Sequence, residues 1–430
     1  MVNSRNIASL ILGFGSLLGS THPTDGTTSY TKRTKLSYNT AYQFSAVHAA
    51  VPASCIADSY DSYKAIVARC PTSVLKDIKV PVGGQIVLSG LKTQTVAFAG
   101  KTEFAASPNG RAPTFPLILF SSSTDTRIVG LNGSVIHGHG EDYWDQGGGN
   151  KGCLKPKTWR VDGVVDSVID GITILNPPVH CFAISNSKHV TLKRIKIDAS
   201  LADKPCAQIP RTIKRVEVGG PAGRSCGHNS DGFGISESSH IKIIKSVVYN
   251  QDDCMALNSG SDITFGDNVC SGGHGIGIGS VKSNKIVTGA KIVNCTIRKS
   301  ENGVRIKTYD DAVSASVSDI SFKNITLESI GKFGIVIQQD YRNEGPTGKA
   351  GNTVPIKGVK LEDIKGTVTG ANGQAIYVNC GKGTCTDWKW QGIDITGGTI
   401  KKGGPSGCIA PPSDILSFCK SAKRTKVNKT

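Results

Sequence analysis

From residue 79 onward the chain is a succession of short apolar or β-branched runs broken by Gly, Asn, Asp and Ser. Residues 86–88, 96–98, 117–120, 126–129 and 134–136 are the first five. Each has the length of a strand, and no helix-length segments alternate with them, which argues against a doubly wound sheet. A sandwich, a barrel and a solenoid remain, and internal repetition decides among them. One unit recurs, an apolar-x-apolar triplet: Phe182-x-Ile184, Phe233-x-Ile235, Met255-x-Leu257, Ile276-x-Ile278, Val304-x-Ile306, Ile335-x-Ile337 and Ile376-x-Val378. Their first members are 51, 22, 21, 28, 31 and 41 residues apart. Further strand-like runs, residues 190–197, 241–249, 263–269, 290–297, 320–327 and 359–364, lie between them. Two or three short strands per coil, stacked in parallel, predict an all-β fold: a right-handed parallel β-helix of about ten coils. The longest step contains an inserted loop, residues 201–224, rich in basic residues, Gly and Pro. In residues 58–69, Tyr63, Ile66 and Val67 stand at helical spacing. They predict a short N-terminal helix capping the open end, where a bare solenoid would expose a sheet edge and its core.

Equivalent positions in stacked parallel coils touch, because the strands lie about 4.8 Å apart. Two residues before the triplet, four successive coils carry Asp231, Asp253, His274 and Asn302. A column of ionisable groups is costly unless it serves a site. Asp252 is beside Asp253, and neighbours on a flat strand point opposite ways, so both reach one site only at a bend or a strand end. One coil past His274, Val304 and Ile306 alternate inward while Arg305 and Lys307 project outward. Carboxylates thus stand at one end of this face and two cations at the other. Three acids within two coils push one another's pKa values apart, which is how one carboxyl stays protonated beside an ionised one. Arg offers a planar fork to a carboxylate and Lys a point charge, as an acidic polysaccharide would require.

Composition sharpens this picture. The 51 glycines and 19% charged residues suit a turn-rich, strand-rich body, and 2 methionines with no long heptads argue against a helical bundle. A formal net charge of +17 favours polyanionic partners. No aromatic-and-basic stacking platform appears, so a nucleic-acid partner is not expected. The 13 cysteines include no Cys-x-x-Cys pair, which points to disulfides in an oxidising compartment rather than a zinc ribbon. An odd count leaves at least one thiol, and Cys181 and Cys295, in apolar strand patterns, read as small hydrophobes. Cys206 and Cys226 are placed to pin the inserted loop. Arg5 precedes an apolar run, residues 7–18, followed by Gly19 and Ser20. Residues 1–19 therefore read as a signal peptide, too short to span a membrane. Lys32-Arg33 would end a pro-segment at residues 20–33, and residues 34–54 form a loose arm before a domain at 55–419 and a basic tail at 420–430. The expected location is extracellular. Asn132, Asn294, Asn324 and Asn428, in Asn-x-Ser/Thr sequons, are then candidate glycosylation sites.

The charged clusters also carry a resemblance. Asn229-Ser230-Asp231, Gln251-Asp252-Asp253, Gly273-His274-Gly275 and Arg305-Ile306-Lys307, in this order and spacing, resemble the signature motifs of the polygalacturonases of glycoside hydrolase family 28. Residues 270–275, 302–308 and 334–341 look like fungal-type endopolygalacturonase sequence, and the resemblance spans residues 55–419. It implies a right-handed parallel β-helix and inverting hydrolysis of α-1,4-linked galacturonan. By the same resemblance Asp252 is the general acid, Asp231 and Asp253 hold and activate water, and His274 tunes the acid's protonation. Asn229, Gln251, Arg305, Lys307 and Tyr341 would bind the substrate. The implied disulfides are Cys55–Cys70, Cys254–Cys270, Cys380–Cys385 and Cys408–Cys419. No cofactor and no metal is expected, and the chain is expected to act as a monomer on polygalacturonate. One departure stands out: Ser230 replaces the family's usual Thr, keeping the hydroxyl and losing a methyl, so packing should weaken rather than chemistry.

Three other readings compete with an endo-acting hydrolase: an exo-acting one, a pectate lyase on the same architecture, and a non-catalytic galacturonan binder. A lyase needs a calcium site and an Arg or Lys base, whereas these motifs supply an acid and a water-holding pair. Intact Asp231, Asp252, Asp253 and His274 speak against an eroded binder. Trp388 and Trp390 read as packing near a C-terminal cap. His137, His139, Tyr143 and Trp144 lie in a Gly-rich loop and take no assigned role.

Overall fold

Short strands joined by tight corners wind the chain into a right-handed parallel β-helix. The computed structural model describes residues 51–107, 115–149, 152–212, 225–398 and 407–421, all within one unit, Gln43–Thr430. One face is an eleven-stranded parallel sheet running from Ile86–Ser89 to Cys408–Ile409, against the roughly ten coils expected. A 23-stranded sheet wraps the remaining sides. The recurring triplets are the rungs of the eleven-stranded face: Phe182 pairs with Phe233, Phe233 with Met255, Met255 with Ile276, Ile276 with Val304, Val304 with Ile335 and Ile335 with Ile376. Their side chains form inward columns that are almost fully buried. Trp159, Phe182 and Phe233 continue one column as a ring stack, with centroids 5.6 and 5.4 Å apart. Each such side chain contributes about 1.5–3 kcal/mol by leaving water.

The polar punctuation forms the corners. Asn186, Asp262, Asp319 and Asn324 sit there with φ of 51°, 55°, 55° and 53°. Asn and Asp tolerate this left-handed region better than other non-glycine residues, because their short polar side chains bond locally. Late coils are larger, as the longer steps foretold, because their strands lengthen: Ser316–Ile330 and Ile356–Val368.

The N-terminal cap is a helix at Tyr60–Arg69, starting later than expected because Ser59 still holds extended backbone. It buries Tyr63, Ile66 and Val67. The Tyr63 hydroxyl accepts from Val87 N–H and donates to the Gln85 carbonyl, both at 3.0 Å, tying the cap to the first rung. At the other end Trp388 and Trp390 stack at 5.8 Å and Trp390 meets Phe418, so both tryptophans are packing residues. Five disulfides are present: the four implied pairs and Cys206–Cys226 at the base of the inserted loop. Cys181 and Cys295 are unbonded and buried, and burial pushes the Cys295 thiol up to about 12. Asn132, Asn294 and Asn324 are exposed. The proposed signal peptide, pro-segment, most of the arm, residues 213–224, most of the tail and Asn428 lie outside the described residues.

Candidate active site

The column two residues before the triplet opens into a groove of about 910 Å³ on the eleven-stranded face. Asp231, Asp252, Asp253, His274, Arg305, Lys307, Tyr341 and Asn229 all line it. Asp252 and Asp253 reach it together because they sit at the bend between Val247–Tyr249 and Met255–Leu257. Asn250 stitches this bend: its Nδ2 donates to the carbonyls of Ser230, Asp252 and Asp253 at 2.9, 2.9 and 3.1 Å. Ser230 is fully buried, and its hydroxyl donates to Gln251 Oε1 and accepts from Gln251 N–H, both at 2.8 Å. Serine therefore keeps the polar duties of this position.

His274 is brought down on Asp252 by its flanking glycines. A Cβ at Gly273 would lie 2.0 Å from the Asp252 carbonyl oxygen, and one at Gly275 (φ 88°) 2.2 Å from that of Gly303. His274 N–H donates to the Asp252 carbonyl at 2.8 Å, and His274 Nδ1 lies 3.1 Å from Asp252 Oδ1. Asp252 Oδ2 accepts from Asn229 Nδ2 at 3.0 Å. Asp253 Oδ2 pairs with Lys307 Nζ at 2.7 Å, and both side chains are nearly buried. The Arg305 guanidinium and Lys307 Nζ each lie 5.1 Å from the centre of the Tyr341 ring, within cation–π range.

These contacts divide the acids. Burial would raise the Asp252 carboxyl, but the His274 imidazolium and Lys307 outweigh it and hold Asp252 well below the usual carboxylate range. Asp231 is raised well above that range, by burial first and then by the charges of Asp252 and Asp253. Burial alone would depress His274, yet Asp252 lifts it to about 9. The folded state thus binds the His274 proton more tightly than an unfolded chain near 6.5, so the pair's contribution to stability is complete below that pH and fades as pH rises through about 9. An NMR titration of the His274 ring should find its midpoint near 9 in the wild type and displaced toward 6.5 in Asp252→Asn; equal midpoints would dissolve the pair.

Residues 70–412 match Glycosyl hydrolases family 28. The chain belongs to this family. It is 44% identical over 349 residues to a polygalacturonase of Cochliobolus carbonum, covering 80% of this chain and 87% of that protein. It is 38% identical over 415 residues to endopolygalacturonase I of Aspergillus aculeatus, covering 96% and 98%. Among solved structures it resembles endopolygalacturonase I of Stereum purpureum complexed with two galacturonates, with a TM-score of 0.67 and 31% identity over 84% of this chain and 99% of that one.

In this family-28 chain two further groups join the site. His180 Nε2 lies 3.6 Å from Asp231 Oδ1, and burial with nearby Lys157 lowers its pKa to about 4, keeping the ring neutral. Sequence reasoning began the column at Asp231, but the same offset carried two coils back, before Phe182 and Trp159, lands on His180 and Lys157. Glu301 Oε2 lies 3.5 Å from His274 Nε2. Glu301 stands three residues before Val304, as Asp252 stands three before Met255, so register could have found it too. Gln251 is corrected: it is buried, does not line the groove, and its Nε2 is spent on the Ala199 carbonyl and Asp203 Oδ1, both at 2.9 Å. It positions the bend and is turned away from the groove.

Proposed function

We propose that this protein is a secreted, endo-acting polygalacturonase that hydrolyses α-1,4-galacturonosidic bonds with inversion. The observation that carries the reading is a cation-bearing groove running past three clustered carboxylates. Its lining extends from the strand of Arg160 to that of Tyr341, with Lys155, Lys157, Lys285, Arg305 and Lys307 as further cations. Seven successive strands contribute, a span of roughly 29 Å, which suits a polymer lying across the site rather than a chain end held in a pocket. Relatives named endopolygalacturonase support the same substrate. Among the described residues no helix is long and apolar enough to cross a membrane.

In this mechanism Asp252 protonates the leaving glycosidic oxygen while Asp231 and Asp253 orient and deprotonate a water on the opposite face of the sugar. Asp252 is ionised at rest, so the proton it delivers comes from the His274 imidazolium facing Oδ1: the ring passes it to Asp252 as Asp252 passes it to the leaving oxygen, and His274 is left neutral. Arg305 and Lys307 offset the galacturonate charge beside the acids, with Tyr341 against the sugar. A second reading makes Asp231 the acid, and its raised pKa favours it. A product-length time course on polygalacturonate tests the function: mixed oligomers should appear early, whereas monomer or dimer alone would mean exo action.

A further inference from the structure

A second cluster of ligating side chains lies outside the groove. Strands Lys101–Phe104 and Val135–His137 pair with Glu103 opposite His137, so these side chains stack on adjacent coils. His139 takes left-handed backbone (φ 50°) two residues on, and its ring turns back onto that of His137 with centroids 3.9 Å apart. Glu103 Oε1 lies 3.5 Å from His139 Nε2 and 4.0 Å from His137 Nδ1. The opposite nitrogens meet a different carboxylate: Glu141 Oε1 is 3.2 Å from His137 Nε2 and 3.1 Å from His139 Nδ1. Glu141 is itself fixed, its Oε2 accepting from Asn176 Nδ2 at 2.8 Å, an amide that also lies 3.5 Å from His137 Nε2. The His137 side chain is only 10% exposed, and its Nδ1 is buried with no hydrogen-bond partner.

An acceptor facing one imidazole nitrogen sets the proton there and leaves the lone pair on the other. Glu141 is the nearer acceptor on both rings, at 3.2 and 3.1 Å against 4.0 and 3.5 Å for Glu103, so in the neutral rings it puts N–H groups at His137 Nε2 and His139 Nδ1. The bare lone pairs are then His137 Nδ1 and His139 Nε2, the two atoms that converge on Glu103 Oε1. One ligand atom from each of Glu103, His137 and His139 lies within 4.8 Å of the others. Metal–ligand bonds of about 2.0–2.1 Å place tetrahedral ligands roughly 3.4 Å apart, so small side-chain adjustments close this triangle. A carboxylate receiving the outer N–H of each ligating histidine is the outer-shell arrangement that orients metal-bound imidazoles. We propose that Glu103, His137 and His139 bind one divalent transition-metal ion, Zn²⁺ foremost, with Glu141 holding the two rings in place and Asn176 fixing Glu141. The ion would satisfy the buried His137 Nδ1 and clamp two adjacent coils to the loop after them. Lys101 Nζ, 2.5 Å from Glu103 Oε1, is half exposed and swings clear when an ion takes that oxygen. The sequence pattern alone assigns His137 and His139 no role and predicts no metal. The site is independent of the reaction, since none of its residues lines the groove.

The test is calorimetric titration of the chelator-treated full chain with Zn²⁺, followed by Co²⁺ with visible absorption to report nitrogen ligation. Asp252, Asp253 and His274 also offer converging ligand atoms, so the titrations are run in the Asp252→Asn background as well. One equivalent should bind in both backgrounds. The His137→Ala/His139→Ala variant, checked for native circular dichroism, should lose it, and Glu103→Gln should weaken it at least about tenfold. No uptake by the wild type, or uptake unchanged in the double variant, overturns the proposal. Should the double variant fail to fold, unchanged affinity in Glu103→Gln overturns it equally.

Discussion

Replacing Asp252 by Asn should lower kcat on polygalacturonate by about 10²–10⁴-fold while leaving substrate affinity nearly unchanged. The side chain keeps its size, so the groove and its cations persist, and what disappears is the proton delivered to the leaving oxygen. A substrate whose leaving group needs no proton isolates that step. On an α-galacturonosyl fluoride the Asp252→Asn defect should shrink to within about tenfold of wild type, since general-acid help is no longer required. Asp231→Asn should stay impaired on both substrates, because the water must still be activated. The reverse pattern, rescue of Asp231→Asn alone, would transfer the acid role to Asp231, where the raised pKa already points.

Lys307→Met should be the most damaging single change for stability in the site. Lys307 and Asp253 are 6% and 3% exposed and pair at 2.7 Å, so removing the ammonium strands a buried carboxylate. Asp253 Oδ1 has no hydrogen-bond partner of its own, which leaves little to take up the charge. Breaking one side of such a pair costs about 3–5 kcal/mol. Adding Asp253→Asn should recover much of that loss, since the stranded charge is removed with its partner, and urea unfolding of the four proteins of the cycle measures the coupling. A loss below about 1 kcal/mol for Lys307→Met would mean that water reaches Asp253 and the pair is not buried as described. Lys307 thus has an inward duty as well as an outward one: the ammonium proposed to meet galacturonate also anchors the Asp253 side chain.

The fold was legible because a solenoid repeats its instructions. Apolar triplets recur at every rung, and the register pairs each with the next, from Phe182 to Ile376. The core of the site was legible for the same reason, since Asp231, Asp253 and His274 occupy one offset in successive coils. What escaped falls into three kinds. His180 and Lys157 obey the same offset but lie upstream of where the repeat was first recognised. Gln251 misled because a motif fixes backbone position and not side-chain direction. Its neighbour Asp252 faces the groove while Gln251 turns into the packing around Asp203 and Ser230. The pairing of Glu103 with His137 was hidden differently: 34 residues separate them in sequence, and only the coil-to-coil register brings them together.

The central claim is that water attacks directly, in a single displacement, at a bond flanked by Asp252 on one side and Asp231 with Asp253 on the other. Proton NMR of the anomeric region during the first minutes of polygalacturonate cleavage tests it most directly. The account predicts that new reducing ends appear first as the β-anomer and then mutarotate, because attack opposite the leaving oxygen inverts the α-linkage. New ends appearing first as the α-anomer, or as unsaturated uronates, would contradict it.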